Sequence, residues 1–219
     1  MKKHILCFGD SNTHGHCAEP WDCADGGRRF NEEERWPCLL KNELGDGYLV
    51  IEEGLPGRTT VFRDPLEEGR AGIDAIYPCM RSHMPVDLLI IMLGTNDTKE
   101  RYAANPACIG AGMERLVQKA KAVPAWRDGR PNILIVAPPH IGPGMENCPD
   151  AADMGKGCVE KSRSCAEQFA RVAKEQGCAF MDGEGVAEFN PTDCMHLSRR
   201  GHRELADALA ELIPALVQR

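Results

Sequence analysis

Four short blocks carry residue types that together could run one reaction: Gly9-Asp10-Ser11-Asn12, Gly57 within LPGRTT, Gly94-Thr95-Asn96-Asp97, and Asp193-Cys194-Met195-His196. A serine hydroxyl is a poor nucleophile until a base takes its proton, and the base needs a third group to hold its tautomer and stabilise its charged form. Ser11 offers the hydroxyl, and the DxxH pair Asp193 and His196 offers the base and its partner. Attack on an acyl carbon also creates an oxyanion, which needs donors already in place. The Ser11 backbone N–H, the Gly57 backbone N–H and the Asn96 side-chain amide are the candidates. Taken singly, each block has a plainer reading: an Asp/Ser/Asn helix cap, a turn glycine, a capping Asn, and an Asp and His at a helix start. Their joint position, past strand ends or in the last loop, is what lets one pocket collect them.

The elements must create that position. Residues 5–8 are Ile, Leu, Cys and Phe without alternation, the pattern of a strand covered on both faces, and the run stops at Gly9, where a tight turn is possible. Trp36, Leu39, Leu40 and Leu44 predict a helix over 36–44, followed by a strand over 48–52 that breaks at Gly54 and Gly57. Residues 61–72 read as loop and 73–83 as a helix closed by Pro85. The run DLLIIML over 87–93 is the clearest buried strand, and it too ends on a glycine, Gly94. A helix over 106–123, a strand over 132–137, a helix over 158–176, a short strand over 179–181 and a final amphipathic helix over 201–217 complete the chain. Five alternating units predict a parallel sheet with right-handed crossovers and helices on both faces. Two segments fall outside this rhythm. Residues 17–35, with Trp21, read as an insertion over the sheet edge, and 140–157, rich in Pro and Gly, as either a lid or a surface excursion.

Composition narrows the partners. The 219 residues suit one well-cored α/β domain over 1–219, with no linker-like break. A net charge of −7, from 33 acidic and 26 basic residues without a basic block, argues against nucleic acid or an anionic membrane and favours a small-molecule substrate. No apolar run approaches a membrane span or a signal-peptide core, so the expected location is cytoplasmic. Eleven scattered cysteines with no CxxC pair read as reduced thiols. His14, His16, Cys17 and Cys23 have zinc-ligand chemistry, but their spacing matches no familiar site, and no metal is expected.

The blocks GDSN, the Gly57 loop, GTND and DCMH, in that order over nearly the whole chain, resemble those of the SGNH hydrolases, the GDSL-type esterases. The stretches ILCFGDS, VIEEGLPGRTT and DLLIIMLGTNDTK look most similar to the bacterial arylesterase and acyltransferase branch. The resemblance implies a flavodoxin-like three-layer sandwich with a five-stranded parallel sheet. It also implies Ser11 as nucleophile, His196 as base, Asp193 as orienting acid, and an oxyanion hole of Ser11, Gly57 and Asn96. Asp10 and Asn12, flanking the serine, are assigned to substrate binding; Asn12 stands where the family usually has Leu or Ile. No cofactor is expected, and a homo-oligomer is implied by the branch alone. The expected substrate is a small ester of acetyl or aryl type, cleaved through an acyl-Ser11 intermediate that water or another alcohol resolves. A carbohydrate O-acetylesterase or thioesterase on the same triad is the alternative, and a binding protein that keeps the sheet without the activity is a further one.

Overall fold

The structure is a computed structural model that describes residues 1–218. Five strands form one sheet: β1 (Lys3–Gly9), β2 (Tyr48–Gly54), β3 (Leu88–Met92), β4 (Ile133–Ala137) and β5 (Ala179–Asp182). They are all parallel, in the order β2-β1-β3-β4-β5. The helices are α1 (Ser11–His14), α2 (Trp36–Leu44), α3 (Gly72–Ser82), α4 (Pro106–Ala122), α5 (Ala151–Met154), α6 (Cys158–Gln176) and α7 (Arg199–Val217).

Both sheet faces are covered, which is why residues 5–8 do not alternate. Leu6, Phe8, Leu89, Ile91 and Ile135 pack on one side with side chains of α3, α4 and α6. Ile5, Cys7, Leu88, Ile90 and Leu134 pack on the other with those of α2 and α7. Each fully buried aliphatic side chain contributes about 1.5–3 kcal/mol. Because β1 lies between β2 and β3, the chain leaves it in one direction and returns on its other side, and the loops after β1 and β3 part to leave a crevice at the carboxyl edge. Ser11 follows β1 and Asn96 follows β3, so the topology sets both at that crevice.

The expected elements are present, with shifted ends. Helix α7 begins two residues before the predicted 201 because the Ser198 hydroxyl accepts from the Gly201 N–H at 3.1 Å. Strand β3 begins after Asp87, whose carboxylate is held by the His4 N–H at 2.8 Å and by Arg127 Nε at 2.8 and 2.9 Å. Segment 140–157 is not a bare loop. It carries a 3-10 turn (Met145–Asn147) and α5, and Ile141, Met145 and Met154 pack there against Cys158 and Cys194. Segment 17–35 is tied down instead by the Glu34 carboxylate, which accepts from Ala24 N at 2.9 Å and Asn31 N at 3.1 Å. Among the described residues no helix is long and apolar enough to cross a membrane.

Candidate active site

Strand β1 hands over to α1 through Asp10, whose carboxylate caps the turn by accepting from Asn12 N at 3.0 Å. The turn is packed hard against the end of β2, since a Cβ on Gly54 would fall on the backbone of Thr13 and His14. Ser11 therefore has little freedom. Its Oγ lies 2.8 Å from His196 Nε2, and His196 Nδ1 lies 2.6 Å from Asp193 Oδ2. With Nδ1–H donating to the carboxylate, Nε2 is the atom left to accept the serine proton. The other carboxylate oxygen, Asp193 Oδ1, accepts from Asn190 Nδ2 at 3.0 Å, Met195 N at 3.1 Å and His196 N at 3.0 Å. Burial works to raise the Asp193 carboxyl, but its hydrogen bond and attraction to His196, with the backbone N–H groups, outweigh burial and hold it at about 2.

Asn96 is positioned from the neighbouring strand. Its Nδ2 donates to the Arg58 carbonyl at 3.3 Å and reaches Asp10 Oδ2 only at 3.5 Å. The next residue, Asp97, locks this loop to the Gly57 loop by accepting from Thr60 N at 3.0 and 3.1 Å and from the Thr60 hydroxyl. Burial pushes the Asp97 carboxyl up to about 7 despite those Thr60 bonds, and burial likewise pushes Asp10 up to about 6. Gly57 has φ +79°, and a Cβ there would meet the Arg70 guanidinium, so the position suits glycine on both counts. Ser11, Gly57, Asn96 and His196 line one cleft of about 170 Å³. The Ser11 hydroxyl, hydrogen-bonded to His196, thus shares one small space with Gly57 and Asn96, a grouping compatible with acyl transfer.

Two assignments need correcting. Asp10 and Asn12 were expected to bind substrate, yet they are 1% and 2% exposed and do not line the cleft. Asn12 instead clasps the last loop, donating from Nδ2 to the Met195 carbonyl at 3.3 Å and accepting the Leu197 N–H at 2.9 Å. Its amide carries out a buried bridge that Leu or Ile could not make. Asp10 caps α1 and faces Asn96, so both residues position the site rather than touch its contents.

Other residues escaped the sequence reading. Asn190, which holds Asp193, also accepts from the N–H groups of Thr192 and Asp193 at 3.0 Å each, a turn that the string Asn190-Pro191-Thr192-Asp193 does signal. His16 packs on the His196 ring with centroids 4.3 Å apart, and burial and the neighbouring His196 push its pKa down to about 4. The possible cluster of His14, His16, Cys17 and Cys23 does not assemble. Cys17 donates to the Glu19 carbonyl at 2.9 Å and Cys23 to that of Arg29 at 3.1 Å, while His16 turns toward His196. The cleft rim comes from distant segments with no local motif: Asp64, Glu67 and Arg70 from one loop, Lys99 beyond Asn96, and Asp150, Asp153 and Met154 from the 140–157 segment.

Comparison with known proteins gives a consistent result. The chain is 35% identical to the aryl esterase of M. smegmatis, covering 98% of this chain and 99% of that one with a TM-score of 0.87. It is 34% identical to a carbohydrate acetylesterase from Sinorhizobium meliloti, covering 98% and 100% of the two chains, also at a TM-score of 0.87. An acetylxylan esterase of Xylanibacter ruminicola is 24% identical over 226 residues, and the match spans 95% of this chain but only 42% of that longer protein. The sequence model of the GDSL-like Lipase/Acylhydrolase family matches residues 7–204, which include all four blocks. The chain belongs to the GDSL-like lipase/acylhydrolase family.

Proposed function

We propose that this protein is a serine esterase that removes short acyl groups, acetyl above all, from small polar hydroxylated compounds. The observation that carries the reading is the unbroken line Ser11–His196–Asp193, at 2.8 and 2.6 Å, opening onto a small cleft with a charged rim. His196 Nε2 takes the Ser11 proton as Oγ attacks the acyl carbon. The oxyanion is received by the N–H groups of Ser11 and Gly57 and the Asn96 amide, and His196 returns the proton to the departing alcohol oxygen. Water, deprotonated by the same imidazole, then cleaves acyl-Ser11 and releases the acid. An alcohol in place of water gives acyl transfer by the same steps.

The rim argues for the class of alcohol. Asp64, Glu67, Arg70, Lys99, Asp150 and Asp153 outnumber the apolar liners Pro56, Met154 and Met195. Carboxylates and cations at a rim suit sugar-like hydroxyls, which hydrogen-bond to them, better than an aromatic ring, which would desolvate them. That favours a carbohydrate O-acetylesterase over an arylesterase. A reducing, cytoplasmic setting is supported by eleven free cysteines.

The test is a substrate panel: p-nitrophenyl acetate, butyrate and octanoate, an acetylated xylo-oligosaccharide, and acetyl-CoA. We expect activity to fall along the p-nitrophenyl series and kcat/KM to be highest for the acetylated sugar. Preference for octanoate or for the thioester overturns the short-acyl, polar-alcohol reading, and no turnover of any substrate together with no fluorophosphonate label on Ser11 overturns the enzyme.

A further inference from the structure

A second cluster of chemically versatile side chains sits away from the cleft. Glu53 lies near the end of β2, and Cys79 and His83 are four residues apart on α3 and its C-terminal cap, hence on one helix face. Glu53 Oε1 is 2.7 Å from His83 Nε2, and one donor atom from each of the three residues lies within 4.8 Å of the others. The carboxylate and imidazole are about one-third exposed, 31% and 32%, so an ion and water can reach them. Burial first, then the facing Glu53 carboxylate, pushes the Cys79 thiol up to about 12.

We propose that Glu53, Cys79 and His83 bind a single zinc-class divalent cation, with water completing the coordination. A thiolate, an imidazole and a carboxylate are the three ligand types that zinc takes together, and two of them at i and i+4 on a helix is a recurrent spacing for it. On a tetrahedral ion with bonds of about 2.0–2.3 Å, ligand atoms sit roughly 3.3–3.6 Å apart. The Glu53–His83 contact must therefore open by under about 1 Å and the sulfur close by a similar amount, within reach of side-chain rotation. Binding releases the Cys79 proton to solvent and, through solvent, moves the imidazole proton from Nε2, where it faces Glu53, to Nδ1.

Arg58, a cation close to this cluster, does not compete for the carboxylate. Its guanidinium lies over the Phe8 ring, 4.1 Å from the centroid, and donates to the backbone carbonyls of Gly9, at 2.9 Å, and Glu53.

Cobalt(II) titration of the metal-free, thiol-reduced protein tests the site, because a cobalt–thiolate bond gives a near-ultraviolet charge-transfer band and tetrahedral cobalt gives strong visible bands. The triad His16, Asp193 and His196 also brings ligand atoms together but has no sulfur, so it cannot give the charge-transfer band. We expect both bands to saturate at one equivalent, to be lost in Cys79→Ser and His83→Ala, and to persist in Cys108→Ser, which removes an exposed thiol elsewhere. Zinc should bleach the bands and raise the Tm of the wild type but not of Cys79→Ser. Folded wild-type protein that shows no thiolate band overturns the site, and so does a band that survives in Cys79→Ser. Circular dichroism of each variant confirms that a lost band is not a lost fold.

Discussion

The floor and the rim of the cleft are built on opposite terms. On the floor, Ser11, Asp193 and Asn96 are 8%, 2% and 7% exposed, and their polar atoms are held by partners within the chain. On the rim, the Glu67 and Asp153 side chains are 61% and 49% exposed, while their partners Arg70, Lys99 and Arg101 are largely covered, so each ion pair keeps one carboxylate in solvent. Buried hydrogen bonds fix geometry because an unmade one is costly, whereas an ion pair with its carboxylate in solvent is screened and contributes less. The floor is thus suited to one reaction, and the rim to a choice among alcohols.

The largest effect should come from breaking the floor at its centre. Ser11→Ala and His196→Ala should each lower kcat on p-nitrophenyl acetate by roughly 10⁴–10⁶, and the double variant should be no worse, because the two groups act as a unit. Additive losses would mean that His196 does not serve Ser11. Asn96→Ala removes the amide that we propose meets the oxyanion and should cost roughly 10² to 10³ in kcat with KM little changed. Full activity in that variant would move the oxyanion contact to the backbone donors alone.

The rim should respond differently. Asp153→Ala removes a carboxylate that pairs with Lys99 at 2.7 Å and with Arg101. If it meets substrate hydroxyls, KM for the acetylated sugar should rise about tenfold, the worth of one hydrogen bond to a charged group, with kcat on p-nitrophenyl acetate unchanged. An equal loss on both substrates would show that Asp153 supports the floor, and the contrast between the two regions would fail.

The same contrast explains what the sequence made legible. Floor residues follow strands whose apolar runs end abruptly, as ILCF does before Gly9 and DLLIIML before Gly94, so fold and chemistry could be placed together. The sheet order depends on crossovers that local pattern does not encode, and only the flavodoxin-like class entered, through family resemblance. Asp10 and Asn12 were misassigned because adjacency to Ser11 does not reveal which way a side chain turns; Asp10 caps α1, Asn12 lies within it, and both are buried. Rim residues 64, 67, 99, 150 and 153 come together only through tertiary packing, and the cluster of Met145, Met154 and Cys194 that orders the 140–157 segment spans about fifty residues.

The smallest expected effect sharpens the account of the floor, and it concerns stability rather than rate. Asp97 and Asp10 have folded-state pKa values raised to about 7 and about 6, so the folded protein binds their protons more tightly than the unfolded chain. Their contribution to stability is fully present below the unfolded carboxyl value of about 3.9 and is lost as pH rises through 6 and 7. Asp193, held at about 2, runs the other way: its contribution is present above about 3.9 and lost as pH falls toward 2. Wild-type Tm should therefore decline between about pH 4 and 7 and level off above that. Asp97→Asn keeps an oxygen to accept the Thr60 N–H and cannot ionise, so it should flatten the upper part of that decline by about 2–4 °C, the shift that roughly 1 kcal/mol produces in a chain of this size. Parallel slopes in the two proteins would mean that Asp97 stays charged in the fold, and that the Thr60 bonds joining the Gly57 and Asn96 loops are strong enough to hold a buried carboxylate.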